Sequence, residues 1–485
     1  MGDSRKTSSI PAIRYTLPPR ISKAFAMLLI RNGKIVTASD IYLADILCRD
    51  DTITQIAPNL PIPPAAQIID AAGTLIFPGF IDPHVHIHLP FMGTFARDNY
   101  QSASRAAVSG GTTTLIEMIC PSRDEQPLEA FTLWKSKAEG NSFCDFTFHM
   151  GVTRFDEAAE RQLREIVQAG VASFKVFLAY KGVFGVDDAE LYNTLRLARE
   201  LGVITTAHCE NAELIAQRQR QFLAEGRTGP EWHEPSRPEL VEADGVHHLL
   251  TFAAMLDAHC YIVHTSCEPA VRQALAARSR GVKVWIETLI QYLTLDKGHA
   301  ELPDFEAAKF VMSPPLRDKR NQAFLWDNLA NGQISTLATD HAPFNFKGQK
   351  EMGRDDFTKI PNGIPSLEDR IKVLFSTGVK TGRLGLNRFV DCASAQAAKI
   401  FGLYPRKGTI AVGSDADLVI YDPDYRSTIS AATQLMNVDY NPFEGMNIQG
   451  RPETVIVGGR VMVRDGKFVG TEKSGRFLAR QPTHF

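Results

Sequence analysis

The sequence predicts an α/β protein: a (β/α)8 barrel with a second, smaller β-sandwich domain built from both chain ends. Three observations carry this. Eight short apolar runs of strand character fall between residues 79 and 340, separated by helical patterns or long connections, which is the alternation that builds barrels and doubly wound sheets. No GxGxxG follows the first of these runs, so the doubly wound alternative lacks its usual support. Outside this stretch, strand-and-turn patterns occur toward both ends of the chain, as one domain assembled from two flanks requires.

Taken in order, residues 1–26 hold Arg5, Lys6, Arg14, Arg20 and Lys23 against a single acid, Asp3, among serines and prolines. They are expected to form a flexible tail. An organelle-targeting segment is the lesser alternative, disfavoured by the prolines and weak amphipathicity. The apolar run 24–30 is too short to span a bilayer and is closed by Arg31, so it reads as a first strand. Strand character at 28–31, Asn32-Gly33 and strand character at 34–37 predict a two-residue hairpin. The pattern recurs at 454–457, Gly458-Gly459 and 460–463, after a strand at 416–421. Residues 27–79 with 408–470 are therefore assigned to the β-sandwich, 80–407 to the barrel and 471–485 to a C-terminal tail.

Barrel strands are expected at 79–87, 113–118, 146–152, 172–180, 203–208, 261–265, 282–287 and 335–340. Between them, a helix at 156–169 has Asp156 to cap it, Leu163, Ile166 and Val167 on one face, and Gly170 to end it. A helix at 188–201 repeats the logic with Leu191, Leu195 and Ala198, and stops at Gly202.

Composition narrows the partners. The chain has 485 residues, 44% apolar and 22% charged, and its 53 Lys and Arg against 55 Asp and Glu leave a formal charge of −2. That lacks the basic footprint of a nucleic-acid binder. No segment is long and apolar enough to suggest a membrane partner. Seven cysteines, an odd count with no CxxC pair, indicate free thiols in a reducing compartment, hence a cytoplasmic location.

The chemistry gathers at strand ends. In Phe80-Ile-Asp-Pro-His84-Val-His86-Ile-His88, alternate side chains share one face, so His84, His86 and His88 are expected to project together, and two such imidazoles can chelate a divalent ion. Thr205-Thr-Ala-His208, Tyr261-Ile-Val-His264 and Leu337-Ala-Thr-Asp340 each finish an apolar run with a metal-binding side chain. In a barrel the carboxyl ends of all strands converge on one face, so these scattered residues would meet there. Lys175, inside Ala172-Ser-Phe-Lys-Val-Phe-Leu-Ala-Tyr180, is costly to bury unpaired. It either snorkels to the rim or pairs with an acid, or its amine has reacted with CO2 to give an anionic carbamate able to bridge two metal ions. The residues alone leave these readings open.

Pro78-Gly-Phe-Ile-Asp-Pro-His-Val-His86, Gly110-Gly-Thr-Thr-Thr114, Ser173-Phe-Lys-Val-Phe-Leu-Ala-Tyr-Lys181, Met312-Ser-Pro-Pro-Leu-Arg317, Thr339-Asp-His341 and Asp355-Asp-Phe-Thr-Lys-Ile-Pro-Asn-Gly363 run in an order that, over residues 27–470, resembles the dihydropyrimidinase and D-hydantoinase branch of the amidohydrolase superfamily. The resemblance implies two divalent metal ions, usually Zn2+. His84 and His86 would bind the more buried one, completed by Asp340; His208 and His264 would bind the other; Lys175, carbamylated by CO2, would bridge both. It further implies that Tyr180 donates to the oxyanion, and that Ser313 and Asn362 hold the ring amide through their main chains, although both also read as turn residues. Leu89, Phe91, Phe177 and Phe184 fall where hydantoinases carry loops over the ring substituent. The implied reaction is opening of dihydropyrimidines and 5-substituted hydantoins to N-carbamoyl amino acids, with Asp340 shuttling the proton, in a homotetramer. Dihydroorotases, which are similar, place an arginine two residues after the second histidine; His88 stands there, which argues for an uncharged ring. An allantoinase and a non-enzymatic scaffold that has lost metal ligands are the rival readings. His247 and His248 are set aside as helical, Cys209 is left out, and His341 is expected either to orient a site residue or to turn outward.

Overall fold

A computed structural model describes residues 27–483. The expected tail at 1–26, with the first residues of the run 24–30, lies outside the described residues. Eight parallel strands form one sheet in sequence order: β1 (Phe80–Val85), β2 (Thr112–Ile119), β3 (Asp145–Gly151), β4 (Ser173–Lys181), β5 (Ile204–His208), β6 (Cys260–Ile262), β7 (Val284–Leu289) and β8 (Thr336–Ala338). The ring closes just beyond β8, where Val85 bridges His341 and the His86 N–H donates to the His341 carbonyl at 2.8 Å. Every residue of β1, β2 and β3 is buried, the apolar signature of parallel strands covered on both faces.

The helices between strands end where their sequences say. Asp156 accepts from the Ala159 N–H and starts Glu157–Gln168. Asp187 and Glu190 form a capping box on Asp188–Leu201, and Gly202, at φ 68°, ends it in the left-handed conformation that glycine adopts without strain. Among the described residues no helix is long and apolar enough to cross a membrane.

Both flanks build the second domain. A seven-stranded sheet runs Lys467–Phe468, Arg460–Arg464, Asn447–Val457, Leu418–Thr428, Leu75–Pro78, Lys34–Val36, Ile41–Leu43, so the strand leading into β1 is paired with a strand from beyond the barrel. A four-stranded sheet, Thr52–Ala57, Asp45–Arg49, Met27–Arg31, Gln67–Asp70, packs against it through Leu28, Ile30, Ile46, Ile53, Ile76, Leu418 and Ile456. The hairpin at Gly458-Gly459 is present, with Val457 opposite Arg460. The one expected at Asn32-Gly33 is not: Met27–Arg31 and Lys34–Val36 belong to different sheets. Instead of turning the chain back, Asn32 carries it across, held by Asp45 and Asp70, and Lys34–Val36 forms its hairpin with Ile41–Leu43.

Residues 475–480, expected in a tail, are fastened to the barrel. β3 and β4 pair only through Met150 with Phe174 and Gly151 with Lys175. Nearer their N-terminal ends they are bridged by this segment: Phe477 pairs with Phe146, and the Arg480 N–H reaches the Gly170 carbonyl. The buried Arg480 guanidinium donates to Thr147 Oγ1, Ser173 Oγ and the Phe148 carbonyl.

Candidate active site

At the C-terminal end of the barrel one cleft is lined by His84, His86, Leu89, Phe91, Lys175, Phe177, Tyr180, Phe184, His208, His264, Ser313, Asp340 and Asn362, with Cys120, Ala342 and Gly363. All the residues to which the sequence assigned a metal-binding, catalytic or substrate-binding role meet here. β1 delivers His84 and, just past its end, His86; β4 delivers Lys175 and Tyr180; β5 ends on His208; His264 and Asp340 lie two residues past β6 and β8. Tyr180, His264 and Asp340 have φ of 59°, 39° and 49°. Non-glycine residues avoid this region at a cost of about 1–3 kcal/mol each, and such strain gathers where side-chain direction matters more than stability.

The nitrogens converge. His84 Nε2 and His86 Nε2 lie 3.0 and 3.1 Å from the same Asp340 oxygen, and His208 Nδ1 lies 2.9 Å from His264 Nε2. His84, His264 and Asp340 each bring one ligand atom within 4.8 Å of the others. Lys175 Nζ, His86 Nδ1 and His264 Nδ1 are buried without any hydrogen-bond partner. Polar atoms are rarely left so in a folded interior. Imidazoles and carboxylate aimed at shared points, with an orphaned lysine among them, suit divalent cations. A lysine in the ammonium form would not join such a set; a carbamate on Nζ would.

The family model of the amidohydrolase family matches residues 75–462. The chain belongs to the amidohydrolase family. It is 48% identical to the D-hydantoinase of Geobacillus stearothermophilus over 93% of this chain and 96% of that one, and 41% identical to the dihydropyrimidinase of Rattus norvegicus over 94% and 89%. The solved structure of the D-hydantoinase (dihydropyrimidinase) from Thermus sp. is 60% identical, with a TM-score of 0.93 over 94% of this chain and 100% of that one. Membership brings divalent metal chemistry with it, and the donor set of this amidohydrolase fits.

Behind the donors stands a set of carboxylates that the sequence reading did not single out. Glu287, from β7, accepts from His84 Nδ1 at 2.8 Å, from the His264 N–H at 2.8 Å and from the Tyr261 hydroxyl at 2.8 Å. Glu210 lies 2.7 Å from His208 Nε2 and 2.6 Å from the Arg237 guanidinium. A carboxylate on the far nitrogen fixes ring orientation and raises ligand basicity. Burial pushes the His84 imidazole down, but Asp340 and Glu287 more than reverse this and raise it to about 9. Burial takes His86 down to about 4. For Glu210 burial acts upward, and Arg237 and His208 outweigh it, leaving the carboxyl at about 2. Burial would raise Asp340 as well; the His84 and His86 rings beside it hold it well below the carboxylate range, so it is ionised.

His341 turns away from the donors: its Nε2 lies 2.8 Å from the buried Asp98, and the Ser366 N–H donates to its Nδ1. His88 is not in the cleft and rests near the Tyr100 ring, 5.9 Å between centroids. His248 pairs with Asp188 on the exterior at 2.9 Å. Over the cleft, Phe91 meets Tyr180 edge-on at 5.3 Å and stacks with Phe184 at 5.8 Å, and Phe177 adjoins Phe184 at 5.5 Å, so three phenylalanines form a connected apolar roof. Asn362 Nδ2 donates to the Tyr180 hydroxyl at 3.3 Å.

Proposed function

We propose that this amidohydrolase opens the cyclic amide bond of 5-substituted hydantoins and of dihydropyrimidines such as dihydrouracil and dihydrothymine, giving N-carbamoyl amino acids. The observation that carries this is the orphaned Lys175 Nζ within a cluster of four histidines and one aspartate. Lys175, carbamylated by CO2, would bridge two divalent ions, Zn2+ by the nitrogen-rich donor set; His84, His86 and Asp340 would hold one, and His208 and His264 the other. When bound, such a pair supplies a water that loses its proton near neutral pH and polarises the ring carbonyl.

The chain's own residues do the rest. Asp340, ionised and in the cleft, takes the proton of the attacking water and returns it to the ring nitrogen as the carbon–nitrogen bond breaks. Tyr180, whose hydroxyl burial pushes above its usual range, stays protonated and donates to the developing oxyanion, a type of contact worth about 3–4 kcal/mol. Ser313 and Asn362 orient the ring amide through their main chains. Leu89, Phe91, Phe177 and Phe184 exclude water and receive the 5-substituent. Among the described residues no arginine lines the cleft, which favours an uncharged ring. Seven free, buried cysteines support a reducing, cytoplasmic setting, and the resemblance supports a homotetramer.

The test is ring opening by chain supplied with zinc and bicarbonate, comparing dihydrouracil, 5-phenylhydantoin and allantoin. Turnover of the first two over allantoin is expected. Preference for allantoin would move the substrate assignment, and turnover of none would remove the enzymatic reading.

A further inference from the structure

Behind the wall that carries Ser313 and Asn362, and outside the cleft, Lys350 is fully buried. Its Nζ donates to three backbone carbonyls, those of Val311, Pro361 and Gly363, each at 2.7 Å. Burial drives this lysine well below its usual range and no carboxylate opposes the shift. The carbonyls are what keep the proton on: an ammonium has three N–H donors for three oxygens, whereas an amine would turn a lone pair on one of them.

The three carbonyls belong to two loops, 311–313 and 361–363, which the Gly363 N–H also joins by donating to Val311 at 3.0 Å. In a trans peptide the N–H points opposite to the C=O. With the Pro361 and Val311 carbonyls drawn to Lys350, the N–H groups of Asn362 and Met312 face away from it. Asn362 and Gly363 border the cleft and Lys350 does not. Gly363 has φ 139°, and a Cβ there would stand 2.6 Å from the Ala342 backbone oxygen, so the turn has little room to adopt another shape.

We propose that Lys350 is a positioning residue for recognition of the substrate's cyclic amide, fixing the peptide planes of both loops so that main-chain groups at Ser313 and Asn362 meet the ring. This rests on the functional reading above. Lys350→Met removes all three donors, and Lys350→Gln keeps a shorter, neutral donor pair. With metal content equal to the parent's, KM for dihydrouracil should rise at least about tenfold in Lys350→Met and less in Lys350→Gln, with kcat within about threefold, the signature of lost binding common to ground and transition states. KM within about twofold of the parent in a folded variant would overturn the inference, as would a fall in kcat alone. Failure of both variants to fold would also overturn it, by making the lysine purely structural. A parent that opens neither ring removes the functional reading and this inference together; an active parent with unmoved variants removes the inference alone.

Discussion

Lys407 and Lys175 are both buried in contact with the barrel, in opposite electrical surroundings. Lys407 reaches Asp417 at 2.6 Å, Asp145 at the start of β3 at 2.7 Å and Asp415 at 3.0 Å. Lys175, one strand further on and in the cleft, makes no ion pair: its Nζ stands over the Phe177 ring at 4.7 Å without a hydrogen-bond partner, and Asp340 and Glu287 act on it only from a distance. Burial pushes both ammonium groups down, but the carboxylates around Lys407 reverse this and raise it, while Lys175 stays lowered. The satisfied lysine joins the barrel to the sandwich, since Asp417 adjoins the strand that pairs with Leu75–Pro78. The unsatisfied one is where the proposed carbamate would form, since an amine without its extra proton is the form that combines with CO2.

The largest effect that would break this contrast is on catalysis. Lys175→Ala should lower kcat/KM by at least about 10³, on the order of 4 kcal/mol in the barrier, with partial recovery when a short-chain carboxylic acid is added. Full turnover with full metal content would refute the carbamate. Lys407→Met should act on stability instead, leaving the buried Asp417 without its cation while Asp145 and Asp415 keep Arg476 and Arg406, at a cost of about 3–5 kcal/mol in denaturant unfolding, with kcat of the folded enzyme near the parent's. Equal stability would make the cluster ornamental. The smallest effect sharpens the cleft itself: Phe184→Ala should reduce the preference for 5-phenylhydantoin over 5-methylhydantoin by about tenfold and leave dihydrouracil unchanged. An unaltered ratio would take Phe184 out of the substituent pocket.

What the sequence disclosed follows from how local each signal is. His84 and His86 were legible because strand alternation alone puts them on one face. The eight barrel strands were legible because buried parallel strands read as short, largely apolar runs set between helical patterns. Asn32-Gly33 misled because an asparagine-glycine pair between apolar runs looks the same whether the chain reverses or crosses between sheets; pairing of Met27–Arg31 with Gln67–Asp70 decides it. Glu287 and Glu117 each sit near the end of an apolar run, the signal that found His208, and reading that signal for glutamate would have flagged both. Glu117 accepts from the Ile87 N–H and from Trp134, steadying the segment after His86. Nothing local marks Arg237 or Lys350, whose partners are set by loops that meet only in the folded chain.

The segment that bridges β3 and β4 has a bearing on how the enzyme comes into being. Arg480 and the Phe148 carbonyl that it holds are 332 residues apart, so on a ribosome all four histidines and Lys175 are made long before this contact can form. A nascent chain therefore carries these five side chains in a barrel that still lacks one bridge until residues 475–480 have been made.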